Sequence, residues 1–127
     1  QLSGGMKQRV ALARALAMDS KILLMDEPFS ALDKQTTNLL REEVQQIWQS
    51  TRKTVILITH SVEEAVFFAD RVLFLSEETA DIAAEYAIDL ERPRHIEAPE
   101  FVRYRQEILR RVRNEVEKIE QNEEMAV

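Results

Sequence analysis

Apolar and polar positions change their period several times along this chain. From Met6 to Met18 apolar residues recur at helical spacing, with Met6, Val10, Ala13 and Ala17 on one face. Ser3 and the glycines beside it stand where a helix N-cap belongs. Next comes Ile22-Leu23-Leu24-Met25, an unbroken apolar run of strand length, which suits a strand covered on both faces. It stops at Asp26-Glu27-Pro28, where proline cannot extend a hydrogen-bonded ladder. Ser30 to Asp33 reads as a loop. A helix follows from about Lys34 to Arg52, with Leu39, Leu40, Val44, Ile47 and Trp48 on its apolar side. Thr54 to Thr59 is a second buried strand and ends at His60.

Strand, helix of more than a dozen residues, strand is a βαβ unit, so the two strands are expected to be parallel. Beyond it the pattern predicts a short helix over Ser61–Ala69 and a strand over Arg71–Leu75. Asp81–Leu90 alternates enough to be another strand. Glu91–Pro99, with two prolines, reads as a linker. A charged helix then runs from about Pro99 to Gln121, with Phe101, Tyr104, Ile108, Val112, Val116 and Ile119 as its apolar stripe. The expected fold class is α/β, a parallel sheet core flanked by helices with a C-terminal helix.

Composition narrows the function classes. Hydrophobic residues make up 45% and charged residues 31% of 127 positions, the balance of a soluble globular protein. No apolar run approaches the roughly 20 residues that span a bilayer. The first residue is Gln1 and not Met, so the chain reads as a piece of something longer. Cysteine is absent, which excludes disulfides and thiolate metal sites. The net charge of -6 argues against a nucleic-acid partner held by bulk electrostatics. Arginines at 103, 105, 110, 111 and 113 are interleaved with Glu107, Glu115, Glu117 and Glu120. Glu107 and Arg111 are spaced as a helix-supporting pair, so this is a solvated helix face. His95, between Arg94 and Ile96 in the linker, reads as solvated, and Trp48 as packing.

The candidate chemistry lies where polar residues end apolar strands. Asp26 and Glu27 end one parallel strand and His60 ends its partner. Parallel strands share an edge at their carboxyl ends, and open α/β sheets bind ligands there. The chain has only two glycines, adjacent at Gly4 and Gly5, which marks a close approach of backbone to another group.

These residues carry a family resemblance. Leu2-Ser3-Gly4-Gly5-Met6-Lys7-Gln8-Arg9 resembles the signature motif of ABC ATPases, and Ile22 to Pro28 resembles a Walker B strand with its catalytic glutamate. Ser30-Ala31-Leu32-Asp33 is similar to the D-loop, and Ile58-Thr59-His60 to the switch histidine. The resemblance implies a partial P-loop NTPase fold, with residues 1–90 the C-terminal half of the ATPase domain and 91–127 a linker and amphipathic helix. It implies that Asp26 holds Mg²⁺, that Glu27 is the general base and that His60 hydrogen-bonds the γ-phosphate of ATP. Ser3, Gly4 and Gly5 would offer backbone N–H groups to an ATP on the opposite subunit, with Asp33 at the same interface. Implied partners are a second ATPase subunit in a homodimer, transmembrane permease subunits and, for an importer, a substrate-binding protein. The implied location is peripheral, on the cytoplasmic face of the membrane. Met6, the Pro-Phe-Ser-Ala-Leu-Asp stretch and Arg92-Pro93-Arg94 are similar to the nitrate, sulfonate and taurine importer group. Glu77-Glu78-Thr79-Ala80-Asp81 departs from the family's usual Pro-Gly.

No G-x-x-x-x-G-K-[ST] occurs, nor the family's glutamine loop or adenine-stacking aromatic, so the chain alone is expected to be inactive. Two other classes compete. A DNA-repair or chromosome-maintenance ABC ATPase would share these motifs, but the chain has no sustained heptads. A regulatory remnant without activity is the third.

Overall fold

A computed structural model describes residues 4–76 and 78–126. They form two compact units, divided between His60 and Ser61.

In the first unit, α1 (Gly4–Ala17), β1 (Ile22–Asp26), α2 (Lys34–Thr51) and β2 (Thr54–Ile58) follow one another. β1 and β2 are parallel, with Ile22 opposite Thr54 and Asp26 opposite Ile58. The helix between them supplies the crossover that parallel pairing requires.

Asp33 caps α2, its Oδ1 accepting from the Thr36 amide at 2.9 Å. At the other end Arg52 takes a left-handed conformation, φ 55°, and its N–H donates to the Trp48 carbonyl. The Trp48 indole donates to the Lys53 carbonyl at 2.7 Å, and the Arg52 guanidinium lies over the ring. Trp48 therefore packs and also ties the helix end to the next strand.

The faces differ from the periodicity reading in three places. α1 buries Leu12 and Leu16, whereas Met6 and Val10 are exposed. Alanines count fully in a periodicity but bury little area, so the two leucines decide which side turns inward. They face Leu40, Val44 and Ile47 of α2 across a groove of about 180 Å³. On α2, Leu40 and Val44 are buried while Leu39 and Ile47 are exposed, and Gln45 takes a buried place instead. The third difference concerns the sheet. Leu23 and Met25 are buried, but Ile22, Leu24, Ile56 and Ile58, on the opposite face, are 47–63% exposed. Within this unit nothing described covers that face, so the doubly covered strands expected from apolar continuity are covered by the unit's own helices on one side only.

The second unit holds α3 (Val62–Phe68), β3 (Arg71–Leu75), β4 (Ile82–Ala87) and α4 (Pro99–Ala126). β3 and β4 form an antiparallel pair with a register shift between Phe74 and Leu75. β4 is shorter than the alternating stretch; the next residue, Ile88, is buried in the core while its N–H still donates to the Asp70 carbonyl at 2.9 Å. That core is Val66, Phe67, Ile88, Phe101 and Ile108. α4 runs five residues past its expected end, to Ala126. Its Arg111 pairs with Glu107 at 3.6 Å, the i,i+4 contact read from the sequence, and lies over the Tyr86 ring.

Arg94 is the most consequential buried polar residue of this unit. Its guanidinium, 3% exposed as a residue, donates to the carbonyls of Val66 at 2.8 Å, Ala69 at 2.5 Å, Leu90 at 3.3 Å and Ile88 at 3.4 Å. Burial, then the neighbouring Arg92 charge, push its pKa down to about 10, so it stays charged at neutral pH. Two of those carbonyls, Val66 and Ala69, lie at the C-terminal end of α3, where a cation complements the helix dipole.

Candidate active site

The carboxyl ends of β1 and β2 bring three of the residues read from the sequence to one edge. Asp26 closes β1 and is exposed. Glu27 follows, and its N–H donates to the Ile58 carbonyl at 2.9 Å, so β1 remains tied to β2 one residue past its end. Glu27 then turns the chain with φ 45°, a left-handed conformation that costs a non-glycine residue roughly 1 kcal/mol. Backbone strain of this kind is retained where the surroundings over-determine it, and such places cluster at functional sites.

The surroundings here are specific. The Glu27 carbonyl accepts from the Ser30 hydroxyl at 3.2 Å. The next carbonyl, of Pro28, accepts from the side-chain amide of Gln8 on α1. Phe29 is buried and anchors the turn. With its backbone held from both directions, Glu27 sends its carboxylate to the imidazole of His60, Oε1 meeting Nδ1. The Glu27 side chain is 28% exposed and that of His60 91%, so the histidine projects from the edge while the carboxylate sits in its base.

The remaining predicted residues are placed differently. Gly4 and Gly5 open α1. A Cβ on Gly4 would meet nothing within 4 Å, so nothing in the described chain demands glycine there. Ser3 lies outside the described residues. The Asp33 carboxylate is occupied by Thr36, whose amide and hydroxyl donate to Oδ1 and Oδ2 at 2.9 and 2.7 Å. The Thr36 amide, then its hydroxyl, hold the Asp33 carboxyl below the usual carboxylate range. Asp33 is thus a helix cap first, whatever else it meets.

Two residues without a role in the sequence reading matter to this geometry. Gln8 was legible only as a letter of the first motif, and its partner, a backbone carbonyl 20 residues away, has no sequence signal. Arg9 joins α1 to α2 through Glu43 at 2.8 Å, a pair visible only once the helices are adjacent. Among the described residues no three His, Cys, Asp or Glu side chains cluster as a metal site. Asp26 is a single hard oxygen donor, which fits a magnesium ion taking its other ligands from water and phosphate. No helix of the described residues is long and apolar enough to cross a membrane.

Known proteins resemble this chain. Residues 1–30 match the family model described as ABC transporter. An uncharacterised ABC transporter ATP-binding protein of Methanocaldococcus jannaschii, MJ0412, is 54% identical over 91% of the chain and 43% of its own length. The nitrate import ATP-binding protein NrtD of Synechococcus elongatus is 47% identical, over 86% of the chain and 42% of its own. The taurine import ATP-binding protein TauB of Pseudomonas entomophila is 46% identical, over 88% of the chain and 46% of its own. Among solved structures, the ATP-binding cassette MJ0796, in a dimeric post-hydrolysis state bound to ADP and Pi, superposes with a TM-score of 0.58. It is 36% identical, covering 69% of this chain and 37% of that one.

The fold is that of the ATP-binding cassette class. The chain belongs to the family of ABC transporter ATP-binding proteins. It spans less than half the length of the curated relatives it matches.

Proposed function

We propose that this chain is the part of an ABC importer's ATPase subunit that carries the catalytic carboxylate, in the group of nitrate, sulfonate and taurine importers. The observation that supports this most is the Glu27–His60 pair, held at the shared edge of two parallel strands by a strained, doubly anchored turn. A carboxylate there can take the proton of a water attacking the γ-phosphorus, a role worth roughly 10²–10⁴ in rate. With Nδ1 on Glu27, the His60 ring leaves Nε2 for a phosphate oxygen or the water. Asp26 would hold Mg²⁺, which when bound neutralises charge on the β- and γ-oxygens. Ser3, Gly4 and Gly5 would meet the phosphates of an ATP seated on the other copy of a homodimer. Asp33 would lie at the same contact.

The remaining parts of the proposal follow from the family. ATP would be cradled by a P-loop outside this chain. The uncovered Ile22/Leu24/Ile56/Ile58 face would pack under the same missing part. The assembled subunit would sit on the cytoplasmic side against membrane permease subunits, supplied by a substrate-binding protein. NrtD and TauB, named for import, favour a transporter over a DNA-repair ATPase.

Glu27→Gln tests the proposal in the protein completed by its P-loop half. The amide keeps shape and loses basicity. Hydrolysis should fall at least about 100-fold with ATP binding intact, and ATP-bound dimers should accumulate on gel filtration. Unchanged turnover would remove Glu27 from the base role.

A further inference from the structure

α4 continues past the core it helps to build. The second unit's core takes Phe101 and Ile108 from it, with Tyr104 and Val112 packed at its margin. Residues 113–126 carry the helix on by about 21 Å. The apolar stripe does not stop with the core. Val112, Val116 and Ile119 extend it at helical spacing, and Val116 is 42% exposed.

The charges beside this extension are sorted by sign. At about 100° per residue, Arg110, Arg113, Glu117, Glu120 and Glu124 fall along one flank of the stripe. The arginines come first and the glutamates after. All five are exposed, and among the described residues none joins an ion pair, unlike Arg111 and Glu115 on the same helix. For a lone helix this order is unfavourable, because the dipole prefers cations at the C-terminal end. Here the last turn has no basic residue, and Glu123 and Glu124 stand near it. The same order is self-complementary. In a second copy turned antiparallel, the arginines of each helix face the glutamates of the other, and Val116 meets its equivalent near the two-fold axis. In a parallel pair this flank would instead meet the partner's opposite flank, where Arg111, Glu115 and Lys118 offer no such sorted match.

We propose that the distal half of α4 is a self-association surface, on which α4 of a second copy of this chain pairs antiparallel. Val112, Val116 and Ile119 form the seam, and Arg110 and Arg113 face Glu117, Glu120 and Glu124 along its flank. This contact needs no nucleotide and is separate from the one through Ser3, Gly4 and Gly5. Few apolar groups are buried and exposed ion pairs are weak, so the association is weak and salt-sensitive.

Because the chain has no cysteine, single cysteines report the contact. Under mild oxidation Val116→Cys should form a covalent dimer. Glu123→Cys alone should do so at least about tenfold more slowly, since antiparallel pairing holds its two thiols about 21 Å apart. Mixed Leu109→Cys and Glu123→Cys chains should cross-link readily. Arg110→Glu with Arg113→Glu should slow the Val116→Cys reaction about tenfold through like-charge repulsion. Adding a chain bearing Glu117→Lys, Glu120→Lys and Glu124→Lys should restore it as a heterodimer, with helix content by circular dichroism unchanged throughout. Equal cross-linking at 116 and 123, none at 116, or indifference to charge reversal would each overturn the proposal. The first and last of these outcomes would point to association through another face, such as the uncovered sheet.

Discussion

Glu27 and His60, 33 residues apart in sequence, touch through Oε1 and Nδ1 at the carboxyl ends of neighbouring parallel strands. Neither residue depends on the other for its place. Glu27 is set by a left-handed turn with its N–H on β2, and His60 by its position two residues past the end of β2. The pair is therefore a product of backbone register, and it can be dissected without dismantling the fold.

His60→Ala should separate chemistry from stability. The His60 side chain is 91% exposed, so its loss leaves no cavity. In the completed subunit, turnover should fall by about 100-fold, while the thermal midpoint stays within about 2 °C. A large drop in melting temperature with unchanged turnover per folded molecule would make His60 structural.

Gly4→Ala should have opposite effects on fold and function. A methyl group there has open space within this chain, and alanine favours helix over glycine by up to about 1 kcal/mol, less in a first turn. Stability should hold or rise slightly. If an ATP phosphate on a second subunit approaches this backbone, dimer closure and hydrolysis should nevertheless weaken. ATP affinity of the single subunit should not change, as fluorescent nucleotide titration would measure. Normal hydrolysis would mean that the glycine pair serves no close approach.

Arg94→Met should destabilise the second unit by about 3 kcal/mol, because it strips charge-assisted hydrogen bonds from several carbonyls at once. Arg94→Lys should recover little of this, since an ammonium cannot reproduce the planar fork. Urea unfolding curves would read both. A loss under about 1 kcal/mol for the Met variant would show that water replaces the guanidinium.

The chain by itself should neither hydrolyse ATP nor hold it tightly. Asp26, Glu27 and His60 offer one imidazole and two carboxylates to a tetra-anion, and Mg²⁺ with a single protein ligand dehydrates reluctantly. Calorimetric titration with Mg·ATP should give no saturable heat at micromolar nucleotide. Such heat, lost on Asp26→Asn, would show a complete site within these residues.

Local order in the sequence determined the element types and the direction of pairing. Unbroken apolar runs at 22–25 and 55–58 read as strands, and the long helix between them made those strands parallel. The acids and histidine that end them then had to share an edge, so the Asp26, Glu27 and His60 edge was legible before any coordinates. What only tertiary structure decided depends on which surfaces meet. Leu12 and Leu16 turn inward, and Met6 and Val10 do not, because the inward side is set by where α2 lies and by the area the two leucines can bury against it. Gln8 reaches the Pro28 carbonyl, and Arg94 reaches the end of α3, through backbone acceptors that every residue carries. A sequence distinguishes residues by side chain, so it could not mark which carbonyls those donors would find.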